Sequence, residues 1–141
     1  MSEITNTSAS AEYTPRDLTS ATPEEIALEA AKILWLKKAR GIKVLKVHDK
    51  TVLTDYFVIC NGTSSTQLKG LAGEVEYQMG FCGIKPYGME GYAEASWILI
   101  DYTSVIVHIF NRDTRDFYKL EKLWSEAEEV DISSLLPDDI Q

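Results

Sequence analysis

The residues with the clearest chemical potential lie in a Gly/Ser turn, Asn61-Gly62-Thr63-Ser64-Ser65, after an apolar run. Such a turn can bind an anion, because free N–H groups and the dipole of the following helix point at it. No Walker motif is present. A nucleotidyl transferase would also need two clustered carboxylates to hold metal ions, and the next strand, Ile84 to Gly88, contains none. Helix capping by Ser64 and Gln67 is the simpler interpretation, with a nucleotidyltransferase-like enzyme using Gly62-Ser65 as the alternative.

The two histidines, His48 and His108, give no metal signature. Neither has a His or Cys neighbour at the spacing that metal sites use. His108 lies in an apolar strand, where a partly buried imidazole with its hydrogen bonds satisfied is the expected state. A triad of Ser64, His108 and Asp101 can be drawn, but no Gly-x-Ser-x-Gly elbow supports it. We therefore predict no catalytic residue, no metal and no cofactor.

Trp97 begins a predicted strand on which side chains alternate between two faces. Trp97, Leu99 and Asp101 share one face, and Ile98 and Ile100 share the other. A face that carries a tryptophan and then an acid suits a surface that is apolar at its centre and acidic at its rim. Two interpretations stay open: the indole packs under the last helix, or it anchors an interface, where tryptophan is enriched.

Composition limits the classes of partner. The chain has 141 residues, 45% hydrophobic, with a net charge of −8. Its one basic cluster is Lys37, Lys38 and Arg40, at a predicted helix end where cations are expected. Nucleic acid is thus not expected as the main contact, whereas a basic protein is compatible. The chain contains no apolar run of about 18 residues, the length that a membrane-spanning helix needs. Two cysteines without a secretory signal favour a reducing, cytoplasmic location.

Hydrophobic periodicity predicts one α/β domain with a mixed sheet of about five strands flanked by helices. Residues 1–21 are predicted to be a disordered tail, 22–127 the domain and 128–141 an acidic tail. The predicted elements are a helix capped by Thr22 and ended by Gly41, strands Lys43–His48 and Tyr56–Cys60, a helix from Ser64 to Gly80, an edge strand Ile84–Gly88, a loop Met89–Ala95, a hairpin of Trp97–Asp101 and Ser104–Phe110, and a last helix with Phe117, Leu120 and Trp124 on its apolar face.

Four blocks of this sequence, in order, resemble the ribosomal silencing factor family (RsfS, Iojap-like). The resemblance spans about Pro23 to Ala127. The blocks are Thr54 to Ser65, Gly83-Ile84-Lys85-Pro86 through Glu90-Gly91, Trp97 to Tyr102 with Val105 to Phe110, and Arg115 to Trp124.

The resemblance implies an α/β fold related to nucleotidyl transferases but without their catalytic acids. It also implies a partner, the large-subunit ribosomal protein numbered fourteen, and a function, repression of translation by blocking the small subunit. A homodimer is compatible with the family. Trp97 matches the family tryptophan at the partner surface, and the matching or adjacent positions are occupied by Tyr87, Met89, Glu90 and Asp101.

Overall fold

The computed structural model describes residues 12–112, 115 and 125–135, which form one mixed sheet with two helices. In chain order the elements are α1 (Pro23–Leu36), β1 (Arg40–Lys46), β2 (Tyr56–Gly62), α2 (Ser65–Phe81), β3 (Gly88–Glu90), β4 (Trp97–Asp101), β5 (Val105–Asn111) and β6 (Glu128–Glu129). The strand order across the sheet is β3-β4-β5-β2-β1-β6. The predicted α/β class is confirmed, with one strand more than expected.

The centre of the sheet is the parallel pair of β2 and β5. Tyr56 lies opposite Val105 and Gly62 opposite Asn111, while all the other neighbouring strands run antiparallel. β4 and β5 form the predicted hairpin, with Trp97 opposite Phe110 and Asp101 opposite Ile106. Because opposite residues of paired strands point to the same face, this register decides which side chains meet.

The two faces of the sheet have different contents. Both helices pack on one face, where fully buried side chains of α1, α2 and alternate strand positions form the main core, including Ile33, Leu34, Val58, Leu68, Val75, Ile98, Val107 and Ile109. The opposite face, here the distal face, has a smaller cluster to which neither helix contributes, made of Leu45, Val47, Phe57, Ile59 and Phe110 with partly buried Trp97, Ile106 and Ala127.

Helix α1 begins as predicted and ends earlier. Thr22 and Glu25 form the expected capping box, with Pro23 in the first turn. The last helical residue is Leu36, and Lys38 takes the left-handed conformation, φ 69°. Our assignment of Gly41 as the residue that ends the helix was therefore wrong. Gly41 (φ +61°) lies in β1, where the register with β2 shifts.

The predicted disorder of residues 1–21 was wrong for their last part. Tyr13 is 8% exposed and Leu18 is fully buried in the main core. The Tyr13 hydroxyl donates a hydrogen bond to the buried carboxylate of Glu29, and Arg16 Nε lies 3.1 Å from the other oxygen of Glu29. Leu18 N–H donates to the Cys82 carbonyl at 2.9 Å. Burial of Tyr13 and Leu18, together with these hydrogen bonds, attaches the segment to the domain.

The first residues of the predicted acidic tail are part of the folded domain. Glu128 pairs with Lys46 and Glu129 with Leu45, so β6 adds an edge strand to β1. Partly buried Val130, Ile132 and Leu135 then pack against the main core. The acid-rich composition of this segment did not indicate that its few apolar residues are partly buried. Of the predicted last helix, Phe117, Leu120 and Trp124 lie outside the described residues.

The edge strand on the other side also differs from expectation. We predicted a strand from Ile84 to Gly88 and a loop from Met89 to Ala95, but β3 spans Gly88–Glu90. Pro86 lacks a backbone N–H and stands before the strand rather than in it. No described helix is long and apolar enough to cross a membrane, and Cys60 and Cys82 are free and buried.

The attachment of residues 12–21 gives a first prediction. Leu18→Ala should lower the free energy of unfolding by about 2–4 kcal/mol, because it leaves a cavity in the main core. Urea unfolding checks this, with Ser20→Ala as a control at an exposed neighbouring position. A loss no larger than that of the control would show that the segment does not belong to the cooperative core.

Candidate functional site

Three of the five predicted site residues share the distal face. In β4, Trp97 and Asp101 alternate with the fully buried Ile98 and Ile100 of the main core. In β3, Glu90 lies opposite Leu99, which places it on the face of Trp97 and Asp101. Trp97, Leu99 and Asp101 are partly exposed, and Glu90 is exposed. The face therefore has partly exposed apolar side chains with two carboxylates beside Leu99, one on β3 and one on β4.

Trp97 is held at this surface by its neighbours. Its indole Nε1–H donates a hydrogen bond to His108 Nδ1 at 3.2 Å. Its ring lies 5.0 Å from that of Phe110, centroid to centroid. The side chain remains partly exposed. One part of the indole packs on the sheet and the side chain is not sealed inside the domain. The predicted last helix lies outside the described residues, so both interpretations of Trp97 remain predictions.

His108 is more deeply buried than the sequence suggested. It is 4% exposed and its ring meets Phe57 edge-on at a centroid distance of 4.7 Å. Its Nδ1 accepts from Trp97, so the proton of the neutral ring must be on Nε2. Nε2 has no hydrogen-bond partner within the described part of the chain. The expectation of a fully satisfied imidazole was wrong, and burial lowers the pKa of His108 to about 4.

Asp101 has a structural role as well. Its Oδ1 accepts a hydrogen bond from Thr103 N–H at 2.7 Å, which closes the turn between β4 and β5. Thr103 has φ 74°, a left-handed conformation that the turn requires. An amide at position 101 would keep this acceptor and lose only the charge.

The remaining two predicted site residues lie elsewhere. Tyr87 is 84% exposed and precedes β3, where its N–H donates to the Asp101 carbonyl at 2.7 Å. Met89 lies opposite Ile100, so it points to the helix-covered face and packs against the main core. Alternation along β3 thus places Met89 and Glu90 on opposite faces of the sheet, and a role of Tyr87 and Met89 in partner binding stays a prediction.

Several polar groups of the Gly/Ser turn take part in hydrogen bonds within the domain. Ser64 Oγ accepts from Gln67 N–H at 3.1 Å, and Gln67 Oε1 accepts from Thr63 N–H at 2.6 Å. The predicted capping by Ser64 is present, but Gln67 accepts from the Thr63 N–H and not from that of Ser64, so a reciprocal capping box does not form. Asp101 lies opposite Ile106 near the start of β5, and Gly62 lies opposite Asn111 at its end. The carboxylate and the Gly/Ser turn are therefore at opposite ends of this strand. The described residues contain no cluster of three His, Cys, Asp or Glu side chains suited to a metal ion.

The chain is similar to known proteins over most of its length. The family model described as "Ribosomal silencing factor during starvation" matches residues 20–141. Ribosomal silencing factor RsfS of Bacillus subtilis is 41% identical over 96 residues, which are 68% of this chain and 81% of that protein. The mouse protein named Mitochondrial assembly of ribosomal large subunit protein 1 is 35% identical over 96 residues, 66% of this chain and 42% of that protein.

A crystal structure of a Chromobacterium violaceum protein has the same fold. It superposes with a TM-score of 0.72 at 31% identity and covers 74% of this chain and 87% of that one.

Burial of His108 predicts a dependence of stability on pH. The native ring resists the proton that the unfolded chain takes up, so stability falls as pH drops from 6.5 towards about 4. Between pH 7 and pH 4.5 wild-type should lose about 2–3 kcal/mol more than His108→Phe, since one pKa unit corresponds to about 1.4 kcal/mol. Urea unfolding at both pH values measures this.

His48→Phe is the matched control, because His48 is exposed and pairs with Asp49 outside the distal face. It should lose stability on acidification as wild-type does. The same loss in His108→Phe as in wild-type would contradict the role of His108 burial.

Proposed function

We propose that this chain, which belongs to the ribosomal silencing factor family, binds the large ribosomal subunit through the distal face and represses translation by excluding the small subunit. The contact on the ribosome is the large-subunit protein numbered fourteen. Trp97 is the apolar anchor, and Glu90 and Asp101 are the acidic groups beside it.

The observation that carries this proposal is a partly exposed apolar strip with two carboxylates beside it. Leu99 lies between Trp97 and Asp101 along β4, and Ile106 lies opposite Asp101. All three apolar side chains, Trp97, Leu99 and Ile106, are partly exposed. An apolar centre with a polar rim is the usual arrangement of a protein interface, and tryptophan often dominates its energy.

Charge supports a basic protein as the partner. The chain has a net charge of −8, and the acids beside Trp97 have that same sign. Complementary charge accelerates association and fixes the register of the complex more than it increases affinity. The mouse relative is named for assembly of the ribosomal large subunit, which agrees with a partner on that subunit.

The repression needs no chemical step. A specific complex requires an interface of about 1,600 Å² in total, and the bulk of a bound domain at the intersubunit face then excludes the small subunit. The extent of repression is set by the free energy with which the domain binds the large subunit, compared with the free energy with which the small subunit joins it. Function therefore depends on the occupancy of the large subunit by this chain.

Truncation of the anchor should separate binding from folding. Trp97→Ala should weaken binding to isolated large ribosomal subunits by about 2–4 kcal/mol, because hot-spot tryptophans contribute on that scale. Co-sedimentation over a concentration series measures it. Tyr77→Ala, which removes an aromatic side chain that is 61% exposed on α2, is the matched control and should bind as wild-type does.

Unchanged affinity of Trp97→Ala in protein that remains folded at the assay temperature would refute the distal face as the binding surface. Circular dichroism of the same samples establishes that the variant is folded.

The acids beside the anchor should act mainly on the association rate. Glu90→Gln combined with Asp101→Asn should slow association several-fold at low salt, with a weaker salt dependence than wild-type. Stopped-flow mixing with large subunits measures both. Glu76→Gln combined with Glu94→Gln removes two exposed carboxylates outside this pair and is the control of equal net charge. Equal rates for the two double variants would show that net charge alone attracts the partner.

A further inference from the structure

We propose that His108 is a positioning residue for the partner surface, which fixes the Trp97 indole in its binding orientation by accepting the indole N–H. The inference rests on the proposed function, because it assigns to a buried residue the task of preparing the anchor. His108 itself would not touch the partner.

The geometry of the hairpin brings the two rings together. Trp97 lies opposite Phe110, and His108 lies opposite Leu99, so Trp97 and His108 are diagonal neighbours on the distal face. The Nε1–Nδ1 distance is 3.2 Å and the two ring centroids are 5.9 Å apart. Phe57 packs edge-on against the imidazole and holds it in place from β2.

The polarity of His108 works against the stability of the domain. Its Nε2 is buried and has no hydrogen-bond partner among the described residues, and an unsatisfied buried polar group destabilises the fold. A phenyl ring would fill the same aromatic cluster, in which the imidazole lies between Phe57 and Phe110, without that penalty. The hydrogen bond to Trp97 is the one interaction shown here that an imidazole makes and a phenyl ring cannot.

A fixed indole helps binding before any contact is made. A partly exposed tryptophan that samples several rotamers must be ordered when the partner binds, which reduces affinity. The acceptor on His108 selects one orientation in the free protein, with the N–H turned to the sheet and the side chain partly exposed. Loss of this acceptor should weaken binding about two- to tenfold, the effect of one net hydrogen bond.

Two substitutions separate this role from a packing role. His108→Phe keeps an aromatic ring and removes the acceptor. His108→Asn keeps an acceptor near the place of Nδ1 and removes ring packing. A purely structural role predicts that Phe binds the partner at least as well as Asn does. A positioning role predicts the reverse, with Phe the more stable and Asn the tighter-binding variant.

The experiment combines an NMR signal of the free protein with binding to isolated large ribosomal subunits. The indole N–H resonance of Trp97 is assigned by its loss in Trp97→Phe. In His108→Phe this resonance should move upfield and exchange faster with water, and affinity should fall about two- to tenfold. In His108→Asn both should return towards wild-type, and His48→Phe should change neither.

Wild-type affinity in His108→Phe, in a series where Trp97→Ala does weaken binding, would overturn the positioning role and leave the proposed function intact. A failure of His108→Asn to restore both the resonance and the affinity would overturn it too. If Trp97→Ala binds as wild-type does, the proposed binding surface is itself wrong, and the inference falls with it.

Discussion

The parallel pairing of β2 with β5 is the interaction on which the rest of the structure depends. It joins the hairpin of β4 and β5 to the pair of β1 and β2, and it sets which residues of these strands lie opposite each other. A slip of one residue would move every side chain of a strand to the other face. Ile109 would then leave the main core, and His108 would turn from the distal face towards the helices.

This register lets one sheet serve two purposes. The face under α1 and α2 carries large aliphatic side chains that are fully buried, and these account for the stability of the domain. The described part of the distal face combines a smaller buried cluster of aliphatic and aromatic side chains with His108, and it carries Glu90 and Asp101 near the partly exposed Trp97. The two sets alternate along β4 and β5, so the strands that build the core also display the surface.

Strong periodic signals in the sequence predicted most of the sheet. The apolar run of β2, the β4–β5 hairpin and the Thr22 cap were found because each has a local pattern. The two ends of the domain were missed because their pairing is not local: Leu18 meets Cys82, and Glu128 meets Lys46. A few apolar residues in a polar segment gain their burial from distant parts of the chain, which composition does not reveal.

The candidate site was only partly predictable for the same reason. Alternation along β4 predicts from sequence alone that Trp97 and Asp101 share a face. The sequence predicts Met89 and Glu90 to lie in a loop, whereas in the structure they are neighbours in β3 and point to opposite faces. The contact between His108 and Trp97 could have been predicted from the sequence, because the register of the hairpin makes the two residues diagonal neighbours. The missing signal was the depth of His108, which depends on packing against β2.

The central claim, that the distal face meets the large ribosomal subunit, is tested most directly by thiol protection. Cys60 and Cys82 are buried, and burial raises the pKa of the Cys60 thiol to about 12, so both native thiols should react slowly. Glu90→Cys places a thiol on the distal face, and Tyr77→Cys places one on α2. Saturating large subunits should slow alkylation at position 90 and leave position 77 unchanged. Protection at position 77 with free reaction at position 90 would contradict the account.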